Sequence, residues 1–150
     1  SNMKNNTGDQ LLILNRLYKE MDTLYHLYAK KCGLSDTALW LLYSLYENQD
    51  LRTQRDICSE WHYPPQTINS SLKSLENQDI VNLEPIEGNK KNKYIALTDK
   101  GHSLIQETIR PLMDAEEAAF QKLENDEREA VITATSKYLD ILHDELERKT

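Results

Sequence analysis

The sequence predicts a mainly α-helical chain with a small antiparallel β-wing, and three observations predict it. Long stretches near both ends carry apolar residues at helical spacing. Two short amphipathic segments in the middle are parted only by His62-Tyr63-Pro64-Pro65, so a helix, a tight turn and a second helix are expected there. Two apolar runs follow, parted by Gly88-Asn89, a pair whose chemistry suits a hairpin turn.

Residues 9–32 read as a long amphipathic helix, with Leu11, Leu14, Tyr18, Met21, Tyr25 and Tyr28 at alternating three- and four-residue spacing. Asp9 is the expected N-cap and Gly33 the residue just past the C-terminus. The stripe has the spacing of a coiled-coil seam, which points to a partner helix. Ser35 caps a second helix running to about Glu47; Ala38, Leu39, Trp40, Leu41, Leu42 and Leu45 place it in the core, and Asn48-Gln49-Asp50 ends it. Thr53 caps a third helix. Pro64-Pro65 opens a fourth over residues 64–78, since proline in a first turn forfeits no intrahelical N–H bond. Ile68, Leu72 and Leu75 form its inner stripe. Strands are expected at about 80–86 and 93–97, with Lys90, Lys91 and Lys93 at the tip of the hairpin. Thr98 caps a fifth helix to about Leu123, which Pro111 should kink or break. Asn125 or Asp126, with Glu129 three residues after Asp126, starts the last helix; Ile132, Tyr138, Leu139, Ile141, Leu142 and Leu146 are its apolar positions. No internal repeat or low-complexity linker interrupts this order.

At 150 residues the chain is expected to form one domain, or one domain with helical extensions. No apolar run is long enough to span a membrane, and no charged-then-apolar leader opens the sequence. Ser1-Asn2 before Met3 looks like a remnant of tag cleavage. A soluble, cytoplasmic protein without a membrane partner is therefore expected. Two cysteines, Cys32 and Cys58, suit a reducing compartment and exclude a disulfide framework. The net charge of −7 is uneven. Residues 52–100 balance seven basic against seven acidic groups, whereas residues 101–150 hold six against twelve. Phosphate contact depends on local field more than on the total.

Catalysis lacks a constellation: there is no Gly-rich phosphate loop, no Gly-x-Ser-x-Gly and no His-Glu-x-x-His. No catalytic residue and no cofactor are expected, and the chain does not read as an enzyme. His26, His62, His102 and His143 are scattered without paired spacing, so no metal site is expected either. Cys32 and Cys58 read as small buried hydrophobes rather than sensors.

The order brace helix, second helix, basic hairpin is what a winged helix-turn-helix needs to enter a DNA groove and hold the backbone beside it. With Ile68, Leu72 and Leu75 inward, Gln66, Thr67, Asn69, Ser70 and Lys73 fall on the outer face of the fourth helix, with Pro65 at its start. Amide and hydroxyl groups reach base edges by hydrogen bonds, and Lys73 suits phosphate. Thr53, Gln54 and Arg55 of the third helix and Lys90, Lys91 and Lys93 of the wing complete the expected DNA contacts. The alternative is a solvated helix face and a charged hairpin that serves solubility.

The motif residues resemble the MarR family of bacterial transcriptional regulators over nearly the whole chain. Thr67-Ile68-Asn69-Ser70-Ser71-Leu72-Lys73-Ser74-Leu75-Glu76 and Asp79-Ile80-Val81 follow the family pattern around its reading helix. Asn89-Lys90-Lys91 stands where the family wing has Asp-x-Arg, ahead of Leu97-Thr98-Asp99-Lys100-Gly101. Asn89, Lys91, Asp79 in place of a usual glycine, and Ser70 where arginine is frequent are departures. Lysine keeps the charge of arginine without its bidentate fork. The resemblance implies a winged helix-turn-helix core over residues 35–100, flanked by N- and C-terminal dimerisation helices at 9–32 and 126–148. It implies a homodimeric repressor of a pseudo-palindromic double-stranded DNA operator, with a small aromatic or amphipathic effector. Tyr18, Tyr25, Tyr28, Trp40 and Tyr43 fall where the family binds such ligands, and packing is the alternative role for each. A dimeric winged-helix module that docks on another protein is the other functional reading.

Overall fold

The computed structural model describes residues 6–47 and 52–149. Its elements are α1 (Thr7–Lys31), α2 (Asp36–Glu47), β1 (Arg52–Thr53), α3 (Gln54–Trp61), α4 (Pro65–Asn77), β2 (Val81–Ile86), β3 (Asn89–Leu97), α5 (Asp99–Gln121) and α6 (Asn125–Lys149). The chain divides into two compact units, Ser1–Ile109 and Arg110–Thr150, at a boundary inside α5. The expected mainly helical fold with a small antiparallel sheet is the fold observed. Asn48-Gln49-Asp50, expected to end α2, lie outside the described residues.

Local chemistry sets the ends of the helices. Asn6, not Asp9, is the N-cap of α1, because its side chain accepts the Asp9 N–H. The C-terminus of α1 closes with Leu34 N–H on the Ala29 carbonyl and Gly33 N–H on that of Lys30. Ser35 Oγ accepts the Ala38 N–H at the start of α2. α6 starts at Asn125, one of the two expected places, and Glu127 rather than Glu129 reaches back to accept the Glu124 N–H just before it at 2.8 Å. The same closing motif ends α4, with Ile80 N–H on Leu75 O and Asp79 N–H on Glu76 O. There Asp79 takes φ +61°, a conformation that favours glycine. Asp79→Gly should therefore stabilise the chain. Relief of about 1–2 kcal/mol of left-handed strain outweighs about 0.4–1 kcal/mol of added unfolded-state entropy. A rise in urea midpoint at unchanged slope would show this; a fall would show that the Asp79 side chain contributes more than its strain costs.

In the first unit the core lies where the inner stripes of α2, α3, α4 and α5 meet the sheet. Leu39, Leu41, Leu42, Ile57, Ile68, Leu72, Leu75, Val81, Ile95, Ile105 and Ile109 are buried. Each contributes about 1.5–3 kcal/mol of transfer free energy. The sheet has three strands in the order β1-β3-β2, all antiparallel, with β3 central. Sequence periodicity did not foresee β1. Two residues cannot show alternation, and Arg52-Thr53 becomes a strand only by pairing with Ile95 and Tyr94.

The wing differs from expectation in its outer half. β3 begins at Asn89, four residues earlier than expected, and the turn is Glu87-Gly88, with Gly88 at φ +78°. Ile86 pairs with Asn89 and Pro85 with Lys93, so residues 90–92 bulge out of the ladder. Lys90 and Lys91 therefore sit on a strand bulge rather than at a loop tip. Pro111 does not break α5, which stays helical from Asp99 to Gln121. Glu107, whose carbonyl loses its N–H partner to the proline, is exposed, so water can take that bond.

Large apolar side chains stay exposed on two helices. On α1 these are Leu11, Leu12, Leu17, Tyr18, Met21, Leu24 and Leu27, and on α6 Val131, Ile132, Leu139, Ile141 and Leu146. α6 buries no residue. Leu14, Tyr25 and Tyr28 of the expected α1 seam are half-buried. No helix of the described residues is long and apolar enough to cross a membrane.

Candidate nucleic-acid interface

The position of α3 is fixed first. Thr53 and Asp56 form a reciprocal capping box: Thr53 Oγ1 accepts the Asp56 N–H at 3.2 Å and Asp56 accepts the Thr53 N–H at 3.0 Å. The backbone hydrogen bond from Thr53 holds the Asp56 carboxyl below the usual carboxylate range. The carboxylate's share of the cap is complete above the ordinary value near ~3.9 and is lost as pH falls through the lowered one. At the other end of α3, Glu60 accepts a hydrogen bond from buried Ser44 of α2 and pairs with Arg52 of β1. Thr53, placed among the expected DNA contacts, thus also serves as an N-cap.

The second helix of the pair then presents its polar side. Pro65, Gln66, Thr67, Asn69, Ser70 and Lys73 are all exposed, while Ile68, Leu72 and Leu75 are buried beneath them. Pro65 is the first residue of α4, and no side chain caps that end.

These elements enclose an open concavity of about 470 Å³. Its lining combines Gln54, Arg55 and Cys58 of α3, Pro65, Gln66 and Asn69 of α4, and Lys91 and Asn92 of the wing. Gln54 donates to Asn69 Oδ1 at 3.4 Å. Two cations, Arg55 and Lys91, thus share the lining with the amide groups of Gln54, Gln66, Asn69 and Asn92. Lys90 is exposed beside them, Lys93 is half-buried opposite Pro85, and Lys73 lies one turn further along α4. Amide donors and acceptors of this kind can pair with base edges, and cations beside them can pair with phosphate. Asn92 was not singled out from sequence, and Cys58, read there as a small buried hydrophobe, is half-buried in this lining. Asn92 looked like one more polar residue among lysines, and only the fold brings it to α3. Burial pushes the Cys58 thiol up, so it is protonated at neutral pH.

The aromatic residues fall into separate settings. Trp40 packs at tilted angles against Tyr25 at 4.9 Å, Tyr43 at 5.2 Å and Trp61 at 5.2 Å between ring centroids, and Tyr43 meets Trp61 edge-on. Trp61, which sequence reasoning passed over, is part of this cluster, and its indole N–H is buried without a hydrogen-bond partner. Tyr28 donates to the Thr108 carbonyl of α5 at 2.7 Å. Burial, and then Cys32, raise its hydroxyl, so it stays a donor. Tyr18 is exposed on α1. Among the described residues one metal-compatible group exists, His143, Asp144 and Glu147 on α6, all exposed.

The MarR family profile matches residues 33–91, which span α2 to the wing bulge. No curated protein sequence matches the chain. Among solved structures, the fold is similar to that of NMB1585, a MarR family regulator from Neisseria meningitidis. That likeness has TM-score 0.78 and 19% identity over 94% of this chain and 99% of that one. The MepR–DNA complex of S. aureus superposes with TM-score 0.73 and 21% identity over 87% and 96% of the two chains. The transcription regulator MarR from Oenococcus oeni PSU-1 gives 0.68 and 19% over 85% and 96%. At these identities the likeness is one of fold.

Proposed function

We propose that this chain, whose residues 33–91 match the MarR family profile, is a sequence-specific regulator that binds double-stranded DNA as a homodimer. One observation carries the reading. The exposed polar face of α4, the first turn of α3 and the lysine bulge of the wing converge on one concavity whose lining combines amides with the cations Arg55 and Lys91. The MepR structure bound to DNA supports DNA as the partner for this fold.

Asn69 and Gln66 would meet base edges, and Lys91, Lys90, Arg55 and Lys73 the phosphates. The exposed face of α4 carries no large apolar side chain, whereas a protein-docking face should hold aromatic or aliphatic anchors. That observation favours DNA over the protein-interaction reading. The apolar faces of α1 and of α6 supply the self-association surface, since patches of that kind in water mark interfaces. Two reading helices would then meet half-sites centred about 10 base pairs apart, or a multiple of that. Repression is the sense of control that the family resemblance supports.

An effector would act through the Tyr25–Trp40–Tyr43–Trp61 cluster. An aromatic or amphipathic molecule that separates the rings and satisfies the Trp61 N–H would release DNA by binding the DNA-incompetent arrangement better. A differential of about 1–3 kcal/mol gives roughly 5–150-fold weaker operator binding, and operator weakens the ligand by the same factor.

Two substitutions separate the roles on the concavity. Lys91→Ala should weaken binding to all duplexes alike and lower the salt slope by about one. Asn69→Ala should relax preference at one position per half-site, at a cost of about 1–3 kcal/mol there. Affinities of both variants for a panel of single-base operator mutants check this. Loss at one base position for Lys91→Ala, or an unchanged base profile for Asn69→Ala, would reverse the assignments.

A further inference from the structure

The first-turn N–H groups of a helix have no intrahelical carbonyl to bond. In α3 the capping box serves the N–H groups of Thr53 and Asp56. The N–H of Arg55 between them donates instead to Asn92 Oδ1, at 3.3 Å, from the wing. The bulge that carries Asn92 is itself held by a side chain. Asn89 Oδ1 accepts the N–H groups of both Lys91 and Asn92 at 3.1 Å. The two asparagines therefore divide the work: Asn89 shapes the bulge, and Asn92 docks it on α3. The adjoining Gln54 reaches the other way, to Asn69 of α4. One turn of α3 thus touches the wing on one side and the reading helix on the other, and Lys91 lines the same concavity as Asn69.

We propose that Asn92 is a positioning residue that holds Lys91 beside the reading helix, so that wing and α4 meet DNA as one surface. The proposal rests on the DNA-binding reading above. Without the tether, the bulge keeps its Asn89 bonds but loses its dock, and Lys91 must be ordered at the moment of binding. Ordering one long side chain corresponds to a loss of about fivefold in affinity.

The test has two arms, both on the full chain. In the first, without DNA, amide exchange is followed by NMR. The Arg55 amide should exchange about tenfold faster in Asn92→Ala, while the amides of buried Ile57 and Ile68 stay unchanged. Asn92→Asp, which keeps an acceptor oxygen, should retain protection. Unchanged Arg55 exchange in Asn92→Ala overturns the proposal whatever DNA does. In the second arm, Asn92→Ala is measured on a selected duplex in the wild-type and in the Lys91→Ala background. About a fivefold loss in the first and almost none in the second shows that Asn92 acts through Lys91. Equal losses in both mean that Asn92 contacts DNA itself or serves folding alone, and overturn its positioning role. Failure of the wild type to enrich any duplex counts against DNA binding, and the exchange arm then still decides whether Asn92 docks the wing.

Discussion

Gly101→Ala is expected to cost about 3 kcal/mol of stability, at the upper end of what overpacking a folded interior costs. The start of α5 is laced to the turn between α4 and β2. Thr98 accepts the Gly101 N–H at 3.0 Å and donates to the Asp79 carbonyl at 2.6 Å, its own N–H reaches Ile80 O at 3.1 Å, and Lys100 Nζ donates to Gln78 O at 2.8 Å. This lacing brings the backbone of Gly101 onto the Ile80 carbonyl, where an added Cβ would collide with that oxygen and crowd Leu97 at 3.1 Å. The oxygen is backbone and already accepts the Thr98 N–H, so it cannot swing aside. For a chain of this length the cost is a drop of about 6–12 °C in Tm. Gly33→Ala is the control. An added Cβ there meets nothing within 4 Å, and only φ +73° opposes it, so about 1 kcal/mol is expected. Equal effects at both positions would show that the α5 junction is looser than described.

Leu24→Glu is expected to abolish self-association at micromolar concentration, and operator binding with it. Leu24 is 63% exposed, the most exposed of the large apolar residues on α1. Leu17, one heptad earlier, and Met21 and Leu27, three residues to either side, stand on the same face. If that face meets a second copy, a carboxylate at its centre is buried without a partner, which costs several kcal/mol. That corresponds to at least about a hundredfold weaker dimer. Sedimentation velocity reads the assembly. Lys19→Glu, five residues from Leu24 and on a different side of the helix from Leu17, Met21 and Leu24, introduces a carboxylate away from these three and should leave the assembly intact. A dimeric Leu24→Glu protein would move the self-association surface away from α1.

How much was legible follows from the range of the forces. The inner stripe of α4, the Thr53, Ser35 and Thr98 caps and the outward residues of α4 were all readable, because period and capping are encoded within a few residues. The Asp9 and Glu129 cap assignments missed by three and two places, since Asn6 and Glu127 offer the same chemistry nearer the helix start. Features that depend on tertiary pairing were not readable. β1 exists only as a partner of β3, the lysines leave the ladder because Asn89 folds the chain around its side chain, and Trp61 joins Trp40 only once α3 packs on α2. Asn92 belongs to the same class: its chemistry is ordinary, and only the fold brings it into the lining of the concavity. The departures at Lys91 and Asp79 were visible in sequence. The structure supplies their settings, a docked bulge for one and a left-handed helix end for the other.

The central claim is that α4 and the wing read double-stranded DNA, and selection of bound duplexes from a random pool, repeated at two salt concentrations, tests it most directly. The account predicts enrichment of a two-fold symmetric consensus with half-site centres about 10 base pairs apart or a multiple of that. It also predicts affinity that falls steeply with salt in the wild type and less steeply, by about one in slope, in Lys91→Ala. Recovery of no consensus at either salt concentration, or of duplexes whose binding ignores salt, would contradict it.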